Sequence, residues 1–250
     1  MNVAYRTEPA PGRRNEDFVI AGPSWAVVLD GATARPDVDS GCRHDVPWLV
    51  ERLGTALALH LATRAGEPLT GIVSAAIRDT MLAHGDGCDL GNPDSPSSTA
   101  AVLRKRADTV EYLVLCDSPI ALRGVDGTVT VVHDDRLDRL PGGRPYSVEL
   151  VRSARNRPGG FWVASTCPDA AGEALTGTVP ASSVNGVLMV TDGVSRLADW
   201  YGWSWERLVA TAAADGPDRL VEQVRKAEIE YGPRGGGKPH DDATAAWIHW

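Results

Sequence analysis

The sequence predicts an α+β fold, a β-sandwich of two antiparallel sheets packed face to face with helices on the outside, in four layers α-β-β-α. Three observations predict it. An apolar strand followed by two helical segments opens the chain, short β-rich segments fill its middle, and two more helices lead to a closing strand. Helices that arrive in pairs between runs of strands suit a layered α+β arrangement rather than a βαβ repeat. At 250 residues, 43% hydrophobic and 23% charged, the chain can bury a substantial core and is read as one domain, 1–250.

The elements follow in order. WAVVL (25–29) is a short apolar run ending at Asp30-Gly31, a buried strand followed by a turn. In 44–64, Leu49, Leu53, Leu57 and Leu61 recur every four residues, a helical spacing, and Gly66 follows the end. Residues 67–83 read as a second helix, with Leu69, Ile72, Ala76 and Ile77 near one face. GDGCDLGNPDSPSS is a polar loop dense in turn formers. TAAVLRK, EYLVLCD, PIALRG and TVTVVHD are strands separated by charged or glycine-containing turns. Residues 134–185 are irregular, with GGFWVAS as a strand and PDAAGEALTG as a short helix. GVLMVT (186–191) is a buried strand ending at Asp192-Gly193, helices follow at about 203–213 and 217–230, and Pro217 suits a first turn. Gly235 to Gly237 form a flexible loop before the last strand, DATAAWIHW.

A net charge of −8 and a pI near 5.2 exclude a general nucleic-acid binder, which needs a basic face to displace counterions. No run reaches the apolar length of a membrane span, and the N-terminal segment lacks the apolar core of a secretory signal. A cytoplasmic protein is expected. Cys42, Cys88, Cys116 and Cys167 are widely spaced without a CxxC pair, so reduced thiols are expected rather than a zinc site or a disulfide framework.

Four acidic positions sit beside apolar runs: Glu16-Asp17 before FVIA, Asp30 after WAVVL, Asp192 after GVLMVT, and Asp241-Asp242 before ATAAWI. A carboxylate at a strand end is held rigidly while its oxygens reach solvent or a metal. Asp30 and Asp192 each precede glycine, which permits a sharp turn and a close approach to a ligand. Oxygen-only donors suit Mg²⁺ and Mn²⁺. A pair of such ions about 3.5–4 Å apart can activate one water for in-line attack on phosphorus. Taken singly, an Asp-Gly is most often a plain turn, Asn15-Glu16-Asp17 a solvated loop or helix cap, and Asp241-Asp242 a strand entry. The set and its order point to chemistry.

RRNED (13–17), VVLDGAT (27–33), SSTAAVL (97–103), LVLCDSPIAL (113–122), VLMVTDGVSRL (187–197) and HDDATAAWI (240–248) follow one another along the chain. Together they resemble the metal-dependent protein phosphatases of the protein phosphatase 2C type, in particular the compact bacterial members, over essentially the whole sequence. The resemblance implies a helix-flanked β-sandwich and hydrolysis of phosphoserine or phosphothreonine esters on proteins by a metal-bridging hydroxide, with no covalent phosphoenzyme. It implies two Mg²⁺ or Mn²⁺ ions and a third, weaker one. Asp30 would bridge both metals, and the Gly31 carbonyl would join the second. Asp192 and Asp241 would complete the first site, Glu16 would serve the second through water with Asp17 in support, and Asp117 would hold the third ion with Asp192. Residues 134–185 would form the family's variable flap. The partner would be a phosphorylated protein, and a monomer is expected.

Departures from the family pattern bear on activity. Gly12 occupies the place of the family's phosphate-binding arginine, which leaves Arg13 or Arg14 for that task. Ala32 follows Asp30-Gly31 where animal members often carry a histidine, so solvent or a metal-bound water would protonate the leaving oxygen. Cys116-Asp117-Ser118-Pro119 stands for Gly-Asp-Ser-Arg, and Asp241-Asp242 for Asp-Asn. Two other readings therefore stay open: a catalytically weak or inactive regulatory module, and a phosphatase of a small phosphorylated metabolite. Trp200, Tyr201, Trp203 and Trp205 are read as packing of the following helix in preference to a recognition surface.

Overall fold

The computed structural model describes residues 1–32, 37–143, 145–234 and 237–250. Thr33 of VVLDGAT and Gly235-Gly236 of the glycine loop lie outside the described residues. One sheet has the order β1 (Asn2–Glu8), β10 (Ala243–His249), β9 (Val184–Val190), β6 (Ile120–Gly124), β7 (Val129–Val132). The other has the order β2 (Asp17–Ala21), β3 (Trp25–Asp30), β4 (Ala100–Lys105), β5 (Thr109–Leu115), β8 (Leu175–Pro180). Every pairing is antiparallel.

The continuous apolar runs exist because both faces of the central strands are covered. Along β3, Trp25, Val27 and Leu29 face the outer helices while Ala26 and Val28 face the opposite sheet, the period-two alternation of a strand. On β9, Leu188 and Val190 point outward, and Val187 and Met189 point into the sandwich. Helices α1 (Val46–Thr63) and α2 (Leu69–His84) cover the second sheet, and Leu49, Leu53, Leu57 and Leu61 are all buried. Asp45 caps α1 by accepting from the Trp48 N–H, and Pro47 occupies the first turn, where a missing N–H does no harm.

A short helix, α3 (Val148–Ala154), lies in the 134–185 stretch, and α4 (Asp192–Asp199), α5 (Trp205–Asp215) and α6 (Pro217–Tyr231) cover the first sheet. Tyr201, Trp203 and Trp205 are half-buried against this layer. No described helix is long and apolar enough to cross a membrane.

Several local expectations change. Asn2–Glu8, which carries no strand signal in the sequence, forms β1, an edge strand whose largely exposed residues carry little apolar pattern. GGFWVAS joins no ladder: Phe161 makes only a bridge to Arg155, and Ala164 one to Ser98. Its Phe161 and Val163 instead pack with Cys116, Leu140 and Leu150 in a small separate cluster beside the sandwich end. PDAAGEALTG divides into a 3-10 turn (Pro168–Glu173) and the edge strand β8. Asp192-Gly193 does not end in a loop but begins α4.

Candidate functional site

One end of the sandwich gathers the acidic positions, because β3 and β9 end there and β2 and β10 begin there. Asp17 and Asp30 are directly paired across β2 and β3. Thr191 and Thr244, on the adjoining ends of the other sheet, each donate a hydroxyl to Asp17 Oδ2, at 2.9 and 2.7 Å. The Thr244 N–H donates in turn to Thr191 Oγ1 at 3.0 Å. The Asp192 N–H, at the start of α4, donates to Asp30 Oδ2 at 3.2 Å. Charge-assisted bonds of this kind are the stronger class and hold the two sheets in register at the site.

The Ser-Ser-Thr segment fixes the backbone of Asp30. Ser98 Oγ and the Thr99 N–H both donate to the Asp30 carbonyl at 2.9 Å, and the Asp30 N–H donates to Thr99 Oγ1 at 3.1 Å. The Gly31 N–H donates to the Glu16 carbonyl at 3.0 Å. A Cβ on Gly31 would lie 2.5 Å from that carbonyl and would also strike Val46 Cγ1, so the position demands glycine for space. Gly193 is glycine for the same reason: a Cβ there would collide with the Asp242 carbonyl. Asp242 is a structural clamp whose two oxygens accept from the Ala10 N–H (2.7 Å) and the Glu16 N–H (2.6 Å).

The carboxylates repel one another in a dry setting. Burial raises Asp30 well above the usual carboxylate range, and Asp192, Asp17, Asp241 and Asp117 add to the shift. Burial and the charges of Asp241 and Asp117 raise Asp192 to about 6. Asp17 is also raised well above its usual range, chiefly by burial, and its Oδ1 is buried without a hydrogen-bond partner. An oxygen-only donor set with unbalanced negative charge and an orphaned acceptor fits hard divalent cations such as Mg²⁺ or Mn²⁺.

A cavity of about 340 Å³ opens here, with Asp30, Gly31, Asp117, Asp192 and Asp241 in its wall. Both Asp241 oxygens face cations, Arg196 Nη2 at 2.6 Å and Lys238 Nζ at 3.0 Å. Arg196 also binds the buried Glu228 at 2.9 Å. Asp117 follows Cys116, which adopts a positive φ of 66° at the family's glycine position. That conformation is unfavourable for a side chain, but the thiol is buried among Leu140, Phe161 and Val163. Glu16, Asp17, Arg13 and Arg14 are not among the described residues that line the cavity. Arg14 reaches only its rim, through an ion pair with Asp45.

Sequence reading missed Arg155, Thr191 and Thr244. Arg155 lines the cavity from just beyond α3, and burial lowers its guanidinium to about 10. Nothing in the irregular 134–185 stretch marks it out. The threonines lie inside quoted motifs, Thr191 next to Asp192 and Thr244 two residues after Asp242, and that proximity was the available signal. Cys42 and Cys88, widely spaced in the sequence and without a CxxC pair, are brought together by the fold, with their sulfurs 3.1 Å apart as free thiols.

The sequence profile described as Protein phosphatase 2C matches residues 12–225. No curated protein sequence matches the chain. Among solved structures, the PPM Ser-Thr phosphatase MsPP from Mycobacterium smegmatis, in complex with cacodylate, superposes with a TM-score of 0.60 at 18% identity, covering 100% of this chain and 98% of that one. The Mycobacterium tuberculosis serine/threonine phosphatase PstP/Ppp gives 0.62 at 17% identity, covering 99% and 98%. Stp1 from Staphylococcus aureus gives 0.61 at 12% identity, covering 99% and 94%. At such identities these structures speak for the fold, two five-stranded antiparallel sheets flanked by helices. With the profile spanning most of its length, the chain belongs to the protein phosphatase 2C family.

Proposed function

We propose that the whole chain is one catalytic domain that hydrolyses phosphoserine and phosphothreonine esters on proteins, with Mg²⁺ or Mn²⁺ as cofactor. The observation that carries this reading is the meeting of Asp30, Asp117, Asp192 and Asp241, from both sheets and their connections, in one cavity wall. Asp30, Asp192, Asp241 and the Gly31 carbonyl would hold two ions, with Glu16 engaged through water and Asp17 in support. Asp117 and Asp192 would hold a third, weaker ion. The catalytic domain of serine threonine protein phosphatase PstP has been solved in complex with two manganese ions, which supports the same stoichiometry. Two divalent ions held by these residues would supply Lewis-acid activation of a water and neutralisation of charge at phosphorus.

The chain's own groups do the rest. Arg155, in the cavity wall with its Nη1 donating to the Pro93 carbonyl at 2.6 Å, would turn its remaining donors to the phosphate oxygens, a task for which Arg14 at the rim is second in line. Thr191 and Thr244 orient Asp17. Ala32 offers no proton, so solvent protonates the leaving serine or threonine oxygen. The described residues of the 134–185 stretch that precede β8 act as the flap: Leu137, Tyr146, Val151, Phe161 and Val163 give the cavity an apolar wall for the residues that flank the phosphate. The enzyme acts as a cytoplasmic monomer, with a phosphorylated protein as partner and neither nucleic acid nor membrane.

Phosphate release from phosphoserine and phosphothreonine peptides, with Mn²⁺ and with excess chelator, tests the reading. Metal-dependent release that exceeds release from small phosphorylated metabolites is expected. Metabolite preference would move the substrate class, and no release from either would favour a non-catalytic module.

A further inference from the structure

A second cluster of ligating side chains lies outside the carboxylate site. Cys42 and His44 precede α1, His84 ends α2, and Cys88 follows the 3-10 turn Gly85–Gly87. Their four donor atoms all lie within 4.8 Å of one another. Cys42 Sγ is 3.1 Å from Cys88 Sγ, 3.3 Å from His84 Nδ1 and 3.6 Å from His44 Nδ1. His44 Nδ1 is 3.4 Å from Cys88 Sγ and 3.3 Å from His84 Nδ1.

Zinc takes sulfur at about 2.3 Å and imidazole nitrogen at about 2.0–2.1 Å, so the edges of its tetrahedron are roughly 3.3 Å for N···N, 3.6 Å for N···S and 3.8 Å for S···S. The nitrogen–nitrogen separation and the three nitrogen–sulfur separations above match those edges to within about 0.3 Å, and His84 Nδ1 and Cys88 Sγ lie within 4.8 Å of each other. The sulfurs sit closer than their edge, yet well beyond the roughly 2.05 Å of a disulfide. A disulfide also gives no reason for two imidazole nitrogens to converge on the same point.

We propose that Cys42, His44, His84 and Cys88 form a structural zinc site that staples the loop before α1 to the end of α2. Four protein donors leave no open position, which marks a structural rather than a catalytic zinc. Two thiolates and two neutral imidazoles balance the charge of Zn²⁺, which suits a partly buried place. Sulfur and imidazole select zinc, whereas the carboxylate cavity selects Mg²⁺ or Mn²⁺, so one chain carries two centres of different hardness.

The surroundings are built to hold these ligands. The His44 N–H donates to Cys42 Sγ at 3.4 Å. The His44 ring stacks on Trp48, with centroids 3.8 Å apart. Gly41 and Gly85, adjoining two of the ligands, have φ of +66° and +63°. The two loops are already joined by the Asp89 N–H to the Gly41 carbonyl at 2.8 Å. His44 and Asp45 also line the catalytic cavity, so the zinc would brace that wall.

Metal analysis of the full chain, purified under reducing conditions, tests the site. About one zinc per chain is expected, exchangeable for cobalt with tetrahedral d–d absorption and thiolate-to-cobalt charge transfer. The pair Cys42→Ser and Cys88→Ser should lose the metal and the charge-transfer band. Cys167→Ser and Asp30→Asn should keep both. Wild-type protein that takes up neither zinc nor cobalt overturns the proposal whether or not the double variant folds. So does a charge-transfer band that survives the double substitution, or a Cys42–Cys88 disulfide in folded protein that binds no metal.

Discussion

The backbone N–H of Asp192 donates to the carboxylate of Asp30 across the two sheets, at 3.2 Å. This bond ties the first turn of α4 to the end of β3 and sets two raised carboxyl groups side by side. The sandwich is thus locked together at the point where its charges repel, and a cation placed there would convert repulsion into a clamp.

Asp30→Asn removes one of the mutually repelling charges while the amide oxygen still accepts from the Asp192 N–H. In chelator at neutral pH the variant should be more stable than the parent, because burial and the neighbouring carboxylates disfavour a charge at this position. Added Mn²⁺ should raise the parent's Tm and leave the variant's almost unchanged. Paired thermal melts check both; equal stabilisation of the two proteins would remove Asp30 from the ligand set.

Stability of the metal-free protein should fall as pH rises from about 4 to about 6. Asp192 is raised to about 6, so in that window the folded state holds a proton that the unfolded chain has released. The contribution is fully present below the unfolded value near 4 and is lost through the folded one. Asp30 and Asp17, both raised well above their usual range chiefly by burial, act in the same direction. Glu8, held low by Arg6, gives the opposite slope, complete by about pH 5. Melts between about pH 5 and 7 should therefore slope downward in chelator, and Asp192→Asn should flatten the slope.

Thr191→Val deletes the hydroxyl that donates to Asp17 and accepts from the Thr244 N–H. Leaving both buried groups short of a partner should destabilise the protein by about 2–4 kcal/mol, with Thr191→Ser restoring most of it. The denaturant midpoint is the readout. A loss under about 0.5 kcal/mol would mean that this network does not hold the sheets at the site.

Arg155→Ala should raise KM for a phosphopeptide roughly 10- to 100-fold, the equivalent of about 1.5–3 kcal/mol for a charge-assisted bond. Arg155→Lys should recover part of it, and Arg14→Ala should change KM little. Steady-state kinetics of the three variants separate the assignments. A larger effect at Arg14 would reverse them.

The layered fold was legible because covered strands such as β3 write an unbroken apolar run and α1 repeats leucine every fourth residue. The strand-end aspartates were legible because each adjoins such a run. Residues whose meaning depends on what lies across the sandwich were not. Thr191 and Thr244 are ordinary strand-end threonines until Asp17 is seen between them. Asp192-Gly193 looks like a turn because glycine usually serves φ, whereas here it makes room for the Asp242 carbonyl. Asn2–Glu8 hides as an edge strand with little buried apolar surface. Cys42 and Cys88 lie 46 residues apart, and only the α1–α2 hairpin between them brings them together.

Anomalous diffraction from a Mn²⁺-soaked crystal tests the central claim most directly. Two manganese peaks about 3.5–4 Å apart are expected, with Asp30 oxygens within ligand distance of both and Asp192 and Asp241 on one of them. Peaks elsewhere, or none near Asp30 at saturating Mn²⁺, would contradict the assignment of this carboxylate cluster as a metal-dependent phosphatase centre.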